Sequence, residues 1–169
     1  GVDEGMVDVF HVDKVLESSA AQEIRGKFVN QAAEIISASL NQPVTCSSVN
    51  AYINRGVRST RGLHVDSYGQ QQFKAFMYLT DVNGFSSGPF NYVVKSHRPG
   101  IRQYLNKVAA RTIGLKRTDV FFINKRQSLA VTGASGTIII SNQSGAHRGL
   151  PQATDGYRVA LVASFLPTP

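Results

Sequence analysis

Cysteine is almost missing from this chain: Cys46 stands alone among 169 residues. A single thiol excludes an internal disulfide and any thiolate-rich zinc site, and it fits a reducing compartment. Long apolar runs are missing as well. None approaches the roughly 20 residues that a membrane-spanning helix needs. No basic-then-apolar leader opens the sequence, so a cytoplasmic protein without a membrane anchor is expected. Internal repeats, low-complexity tracts and linkers are also lacking, which argues for one domain over residues 1–169.

Acidic residues are scarce after the first 35 positions. Residues 1–35 hold seven acidic and three basic side chains, a balance of −4. Residues 36–169 hold fifteen basic side chains against Asp66, Asp81, Asp119 and Asp155, a balance of +11. A basic body attracts nucleic acid or anionic small molecules. No run interleaves the cations with aromatics as single-strand binders do, so nucleic acid is the less favoured partner.

The apolar pattern changes period once. Leu16, Ala20, Ile24, Phe28, Ala32, Ile35, Ile36 and Leu40 recur every three to four residues, which predicts an amphipathic helix over 14–40. Gln42-Pro43 ends it. From residue 43 the chain reads as short strands: 46–54, 71–82, 90–96, 119–124, 128–132, 136–141 and 157–165. Residues 101–112 read as a helix among them. The four-residue stretch 133–136, "GASG", reads as a hairpin turn. A helical layer (1–42) before many short strands (43–169) predicts a mostly-β jelly roll with flanking helices.

Metal chemistry must draw on four histidines: His11, His64, His97 and His147. The tripeptide His-Val-Asp occurs twice, at 11–13 and 64–66. In an extended segment residues i and i+2 share a face, so His64 and Asp66 stand side by side. His147, in a glycine-rich stretch after strand 136–141, is the natural third ligand. Two histidines and one carboxylate form a facial triad with open positions, a set that suits non-haem Fe(II). The first copy sits where the helix begins, and there Asp13 serves as a cap or first-turn charge. Arg158 shares its strand face with Ala160, Val162 and Ser164. An arginine on such a face is costly unless it pairs with an anion, and its planar fork matches a carboxylate, although the position alone reads more simply as a strand-end arginine pointing into water.

These residues carry a resemblance. An H-x-D, a long gap, then a histidine with arginine eleven residues later is similar to the Fe(II)/2-oxoglutarate-dependent oxygenases. "HVDSY", "FMYLTDVNGFSSGPFNYVVKSHRPG" and "GTIIISNQSGAHRGLPQATDGYRVALVASF" together resemble the phytanoyl-CoA dioxygenase family over roughly residues 46–166. The resemblance implies a double-stranded β-helix, iron ligands His64, Asp66 and His147, and Arg158 on the distal carboxylate of the cosubstrate 2-oxoglutarate. It also implies that His97 belongs to a structural loop. The chain departs from the pattern at Val94 and Lys95, where proline and glycine are usual, and at Gly149, where a polar residue is common.

The expected activity is therefore hydroxylation of an unidentified small molecule by O2 and 2-oxoglutarate, with release of succinate and CO2. Asp66 favours hydroxylation, because related halogenases carry a small residue there. Tyr68 and Arg61 flank the metal motif and are candidate substrate contacts. A non-catalytic cupin-like binding module is the alternative. A nucleic-acid demethylase is a weaker one, since that family carries a second arginine where this chain has Ser164.

Overall fold

A computed structural model describes residues 3–15, 18–112 and 118–168. Eight strands form two sheets. The larger runs β1-β2-β8-β3-β6, built from β1 (Met6–Val9), β2 (Val44–Arg55), β8 (Tyr157–Pro167), β3 (Phe73–Tyr78) and β6 (Ile138–Asn142). The smaller runs β5-β4-β7, built from β5 (Ser128–Val131), β4 (Phe90–Val93) and β7 (His147–Gly149). Every strand pair is antiparallel. Isolated bridges extend the smaller sheet, with His64 lying between His147 and Asp119.

Alternation along the strands sorts side chains into two layers. Phe73 and Ala75 of β3, with Leu161, Ala163 and Phe165 of β8, pack against Phe28, Ala32 and Ile36 of the helical segment. The opposite faces of the same strands carry Phe76, Tyr78, Ala160 and Val162, which pack against Phe90, Tyr92 and Val131 of the smaller sheet. The larger sheet is thus covered on both faces, by helix outside and by sheet inside.

The helical segment is not one regular helix. It runs as α1 (Val12–Val15), α2 (Ser18–Glu23), a π-helical stretch (Ile24–Asn30) and α3 (Gln31–Leu40). Leu16, the first residue of the predicted stripe, lies outside the described residues. Of the two adjacent isoleucines, Ile36 is core at 1% exposure and Ile35 faces water at 57%. Asn41 ends α3 in the left-handed conformation, ahead of Pro43.

Two stretches depart from the strand reading. Residues 119–124 pair only at Asp119. Beyond it, Asn106 of α4 (Ile101–Thr112) takes the ladder's place: its side-chain oxygen accepts from the Phe121 and Phe122 N–H groups, and its amide donates to the Phe122 carbonyl. The 133–136 turn joins β5 of one sheet to β6 of the other, so it is a corner between layers and no hairpin. No helix among the described residues is long and apolar enough to cross a membrane.

Candidate metal centre

His64 and His147 face each other across an antiparallel bridge. The His64 N–H donates to the His147 carbonyl at 3.0 Å, and the His147 N–H returns the bond at 2.8 Å. Residues directly opposite in such a pair project to one face, so both imidazoles enter the space between the sheets. Their ring centroids lie 4.6 Å apart. Asp66, two residues along, projects to the same side, with its Oδ1 3.9 Å from His64 Nε2 and 3.5 Å from His147 Nε2. One ligand atom from each of the three residues lies within 4.8 Å of the other two.

Backbone carbonyls orient both rings. His64 Nδ1 lies 2.9 Å from the Gly62 carbonyl and His147 Nδ1 lies 2.8 Å from the Gly145 carbonyl. A carbonyl only accepts, so each Nδ1 carries a proton and each Nε2 faces the shared space. Burial pushes the His64 imidazole below its ordinary range, toward the neutral form a metal needs. Burial alone would raise the Asp66 carboxyl. The contacts to His147 and to the Lys74 ammonium override it and hold Asp66 well below the usual carboxylate range. Two imidazoles and one carboxylate, aimed at one point, fit a divalent transition metal.

Lys74 is a site residue that sequence reasoning missed. Its Nζ sits 2.7 Å from Asp66 Oδ2. It stands on the inner face of β3, between Ser141 of β6 and Ser164 of β8, whose small side chains leave it room. The lysine occupies one carboxylate oxygen and leaves Oδ1 facing the histidines. A charged residue at an inward position of a central strand was the available signal.

Arg158 lines the same cavity, of about 220 Å3, together with His64, Asp66, His147 and Lys74. Its guanidinium donates to the Gly88 carbonyl and, at 3.3 Å, to Asn54 Oδ1. Its Nε is buried without a partner. Burial pushes its pKa down, and no acidic side chain pairs with it among the described residues. Gly88 holds its position at φ +66°, where an added Cβ would meet the Leu150 carbonyl at 2.7 Å.

The remaining sequence candidates separate. Arg61 lines the cavity, but its guanidinium is engaged by Asp119 Oδ1 at 2.8 Å and Thr118 Oγ1 at 2.6 Å. Tyr68 lines a different cavity, on the outer face of the smaller sheet. His11 and Asp13 lie near the helical segment, where Asp13 pairs with Arg25 at 3.0 Å. His97 lies in the loop after β4, with its Nδ1 3.5 Å from the Tyr92 hydroxyl.

Gly145 offers a test of how the centre is held. A Cβ there would come within 2.0 Å of the Tyr92 hydroxyl. Gly145→Ala is expected to displace the ring or the backbone that carries the His147 acceptor. A loss of about 1–3 kcal/mol in chemical denaturation is expected, as for an overpacked core, together with weaker metal binding. Wild-type stability and metal affinity would show that the contact yields freely.

No family model matches the chain, and no curated protein matches it by sequence. The resemblance to phytanoyl-CoA dioxygenases therefore rests on motif order alone. Solved structures match over nearly its whole length. EvdO2 from Micromonospora carbonacea var. aurantiaca superposes with a TM-score of 0.73 at 16% identity, covering 97% of this chain and 68% of that one. HygX from Streptomyces hygroscopicus, with nickel and 2-oxoglutarate bound, gives 0.67 at 15% identity, covering 98% and 71%. The epimerase SnoN, in complex with Fe3+, alpha ketoglutarate and nogalamycin RO, gives 0.67 at 14% identity, covering 96% and 64%. The fold is a double-stranded β-helix. The expected jelly roll is therefore the observed one. In this double-stranded β-helix the His-Asp-His cluster sits between the two sheets.

Proposed function

We propose that this protein is an Fe(II)- and 2-oxoglutarate-dependent oxygenase that hydroxylates a small molecule. The observation that carries the reading is one cavity holding two kinds of demand. At one place, two carbonyl-oriented imidazoles and a carboxylate converge. At another, a largely buried arginine lacks an acidic partner. A metal answers the first and a carboxylate-bearing cosubstrate answers the second. HygX is described with nickel and 2-oxoglutarate, and SnoN with Fe3+ and alpha ketoglutarate, on the same fold.

In this reading His64, Asp66 and His147 hold the iron, and Arg158 holds the distal carboxylate of 2-oxoglutarate. Bound iron and cosubstrate supply the oxidising power: O2 and 2-oxoglutarate are consumed, and a hydroxylated product, succinate and CO2 are released. The chain contributes position. Gly62 and Gly145 fix the imidazole tautomers. Lys74 keeps Asp66 ionised and one-sided. Asn54 and Gly88 aim the Arg158 fork. Phe76, Tyr78 and Phe90 line the cavity and limit water. Arg61, tied to Asp119, is the candidate substrate contact that lines this cavity.

The test is binding before turnover. Nickel-loaded protein, titrated calorimetrically, is expected to bind 2-oxoglutarate, and a chelator is expected to abolish that binding. Iron-loaded protein in air is expected to release succinate. No binding to metal-loaded protein would remove the oxygenase reading and leave the cupin-like binding module. Product masses then separate hydroxylation from epimerisation, since only the former adds an oxygen atom.

A further inference from the structure

A second cavity, of about 320 Å3, lies on the outer face of the smaller sheet, beneath the start of α4. Its floor includes Val65 and Ala146, the chain neighbours of the metal-cluster residues, which point away from the metal cavity. Strand alternation places the two cavities on opposite faces of one layer. None of the residues lining it is acidic, whereas Lys95, Arg98 and Arg102 all line it. No ion pair engages any of the three among the described residues.

Three further observations point inward. The first turn of the twelve-residue helix α4 borders the cavity at Ile101, Arg102 and Gln103, so the positive end of the helix dipole adds to the cations. Tyr68 lines it as well, and its hydroxyl is buried without a hydrogen-bond partner. Lys95 holds a φ of +65°, a conformation that glycine reaches without steric cost and a lysine does not. Strained residues cluster at ligand sites, and this one lines the cavity. The stretch of sequence that supplies most of the lining is also basic. Residues 94–127 carry nine basic side chains against Asp119, a balance of +8, more than the +7 of the whole chain.

We propose that this cavity binds the phosphate group of a small molecule, at a site separate from the metal centre. Lys95, Arg98 and Arg102 supply the charge, and the first turn of α4 supplies neutral donors. A volume of about 320 Å3 exceeds what one phosphate fills and falls in the range of small-molecule pockets. A surface that tracks a nucleic-acid backbone needs a groove of cations with stacking aromatics. Here the three exposed cations gather at one partly open recess and do not run along a groove, so the small ligand is favoured.

Pyrophosphate, titrated calorimetrically at constant ionic strength into the full chain, is the probe. Binding to wild type is expected to weaken at least tenfold in R98Q/R102Q and to be unchanged in R158A. K95G, which removes the strained side chain, is expected to melt no lower than wild type while binding several-fold more weakly. Inorganic phosphate and a sugar phosphate, compared at the same ionic strength, separate the two sources of the group by their order of affinity. Affinity lost in R158A and kept in R98Q/R102Q would overturn the proposal by placing the anion in the metal cavity. Duplex DNA binding more tightly than pyrophosphate, with an affinity that collapses as salt rises, would overturn it in favour of a nucleic-acid face.

Discussion

Replacing Asp66 by alanine is expected to abolish turnover and to destabilise the fold, for two separable reasons. The carboxylate is the only anionic member of the cluster formed with His64 and His147. Losing an outer-shell partner of a metal ligand costs about 10–100-fold in affinity or activity, and loss of a ligand itself should exceed that. The same carboxylate neutralises Lys74, whose ammonium lies 2.7 Å away, and the two side chains are only 19% and 23% exposed. Breaking a fully buried pair from one side costs about 3–5 kcal/mol. With this partial exposure we expect roughly 1–3 kcal/mol, read from chemical denaturation of metal-free protein. The double variant D66A/K74M separates the reasons. Removing both charges should recover most of the stability and none of the turnover. If D66A/K74M stays as unstable as D66A, the lysine pair is not what the carboxylate contributes to the fold. If D66A keeps wild-type turnover, the cluster is not the reaction centre.

The legibility of this architecture follows from how local each determinant is. Long strands could be read directly: 157–165 is observed as Tyr157–Pro167 and 46–54 as Val44–Arg55. The helix over 101–112 coincides with α4. Short elements that exist only through a partner could not. β1 is four residues held by β2, and β7 is three residues held by β4. Conversely, 119–124 has strand-forming residues, but the Asn106 side chain takes the backbone groups of Phe121 and Phe122 that a neighbouring strand would need. The helical stripe over 14–40 correctly gave Phe28, Ala32 and Ile36 as core. It could not reveal the π-helical stretch at Ile24–Asn30, nor which of the adjacent Ile35 and Ile36 shares the buried face with Ala32.

The same distinction holds in the cavity. His64 and Asp66 were legible because their spacing is local, and His147 and Arg158 through the order of motifs. Lys74 was not, because its meaning depends on a carboxylate from a separate segment. Tyr68 was placed near the metal by sequence proximity. The chain bends at Asp66 and again at Tyr68, which breaks the strand alternation, and Tyr68 lies on the other face, where it lines the second cavity.

Arg158→Met is expected to have the opposite signature to Asp66→Ala: a protein at least as stable, with cosubstrate affinity lost. The guanidinium is largely buried, its Nε lacks a partner, and its other contacts are a carbonyl and an amide oxygen. A charge held this way costs desolvation without a full ionic return in the metal-free protein. An unbranched apolar side chain of similar length removes that cost, so the melting temperature of metal-free protein should hold or rise. Binding behaves differently. Truncating one partner of a buried, hydrogen-bonded charge pair costs about 2–5 kcal/mol. The dissociation constant for 2-oxoglutarate should therefore rise by at least about thirtyfold, since each 1.4 kcal/mol is tenfold. Nickel affinity, measured without cosubstrate, should be unchanged, because Arg158 is not among the clustered ligand atoms. Arg158→Lys keeps the charge and loses the two-pronged fork, and should fall between the two. Unchanged 2-oxoglutarate affinity in Arg158→Met would refute the carboxylate role. A large drop in metal-free stability would show instead that Asn54 and the Gly88 carbonyl already satisfy the guanidinium, leaving no demand for an anion.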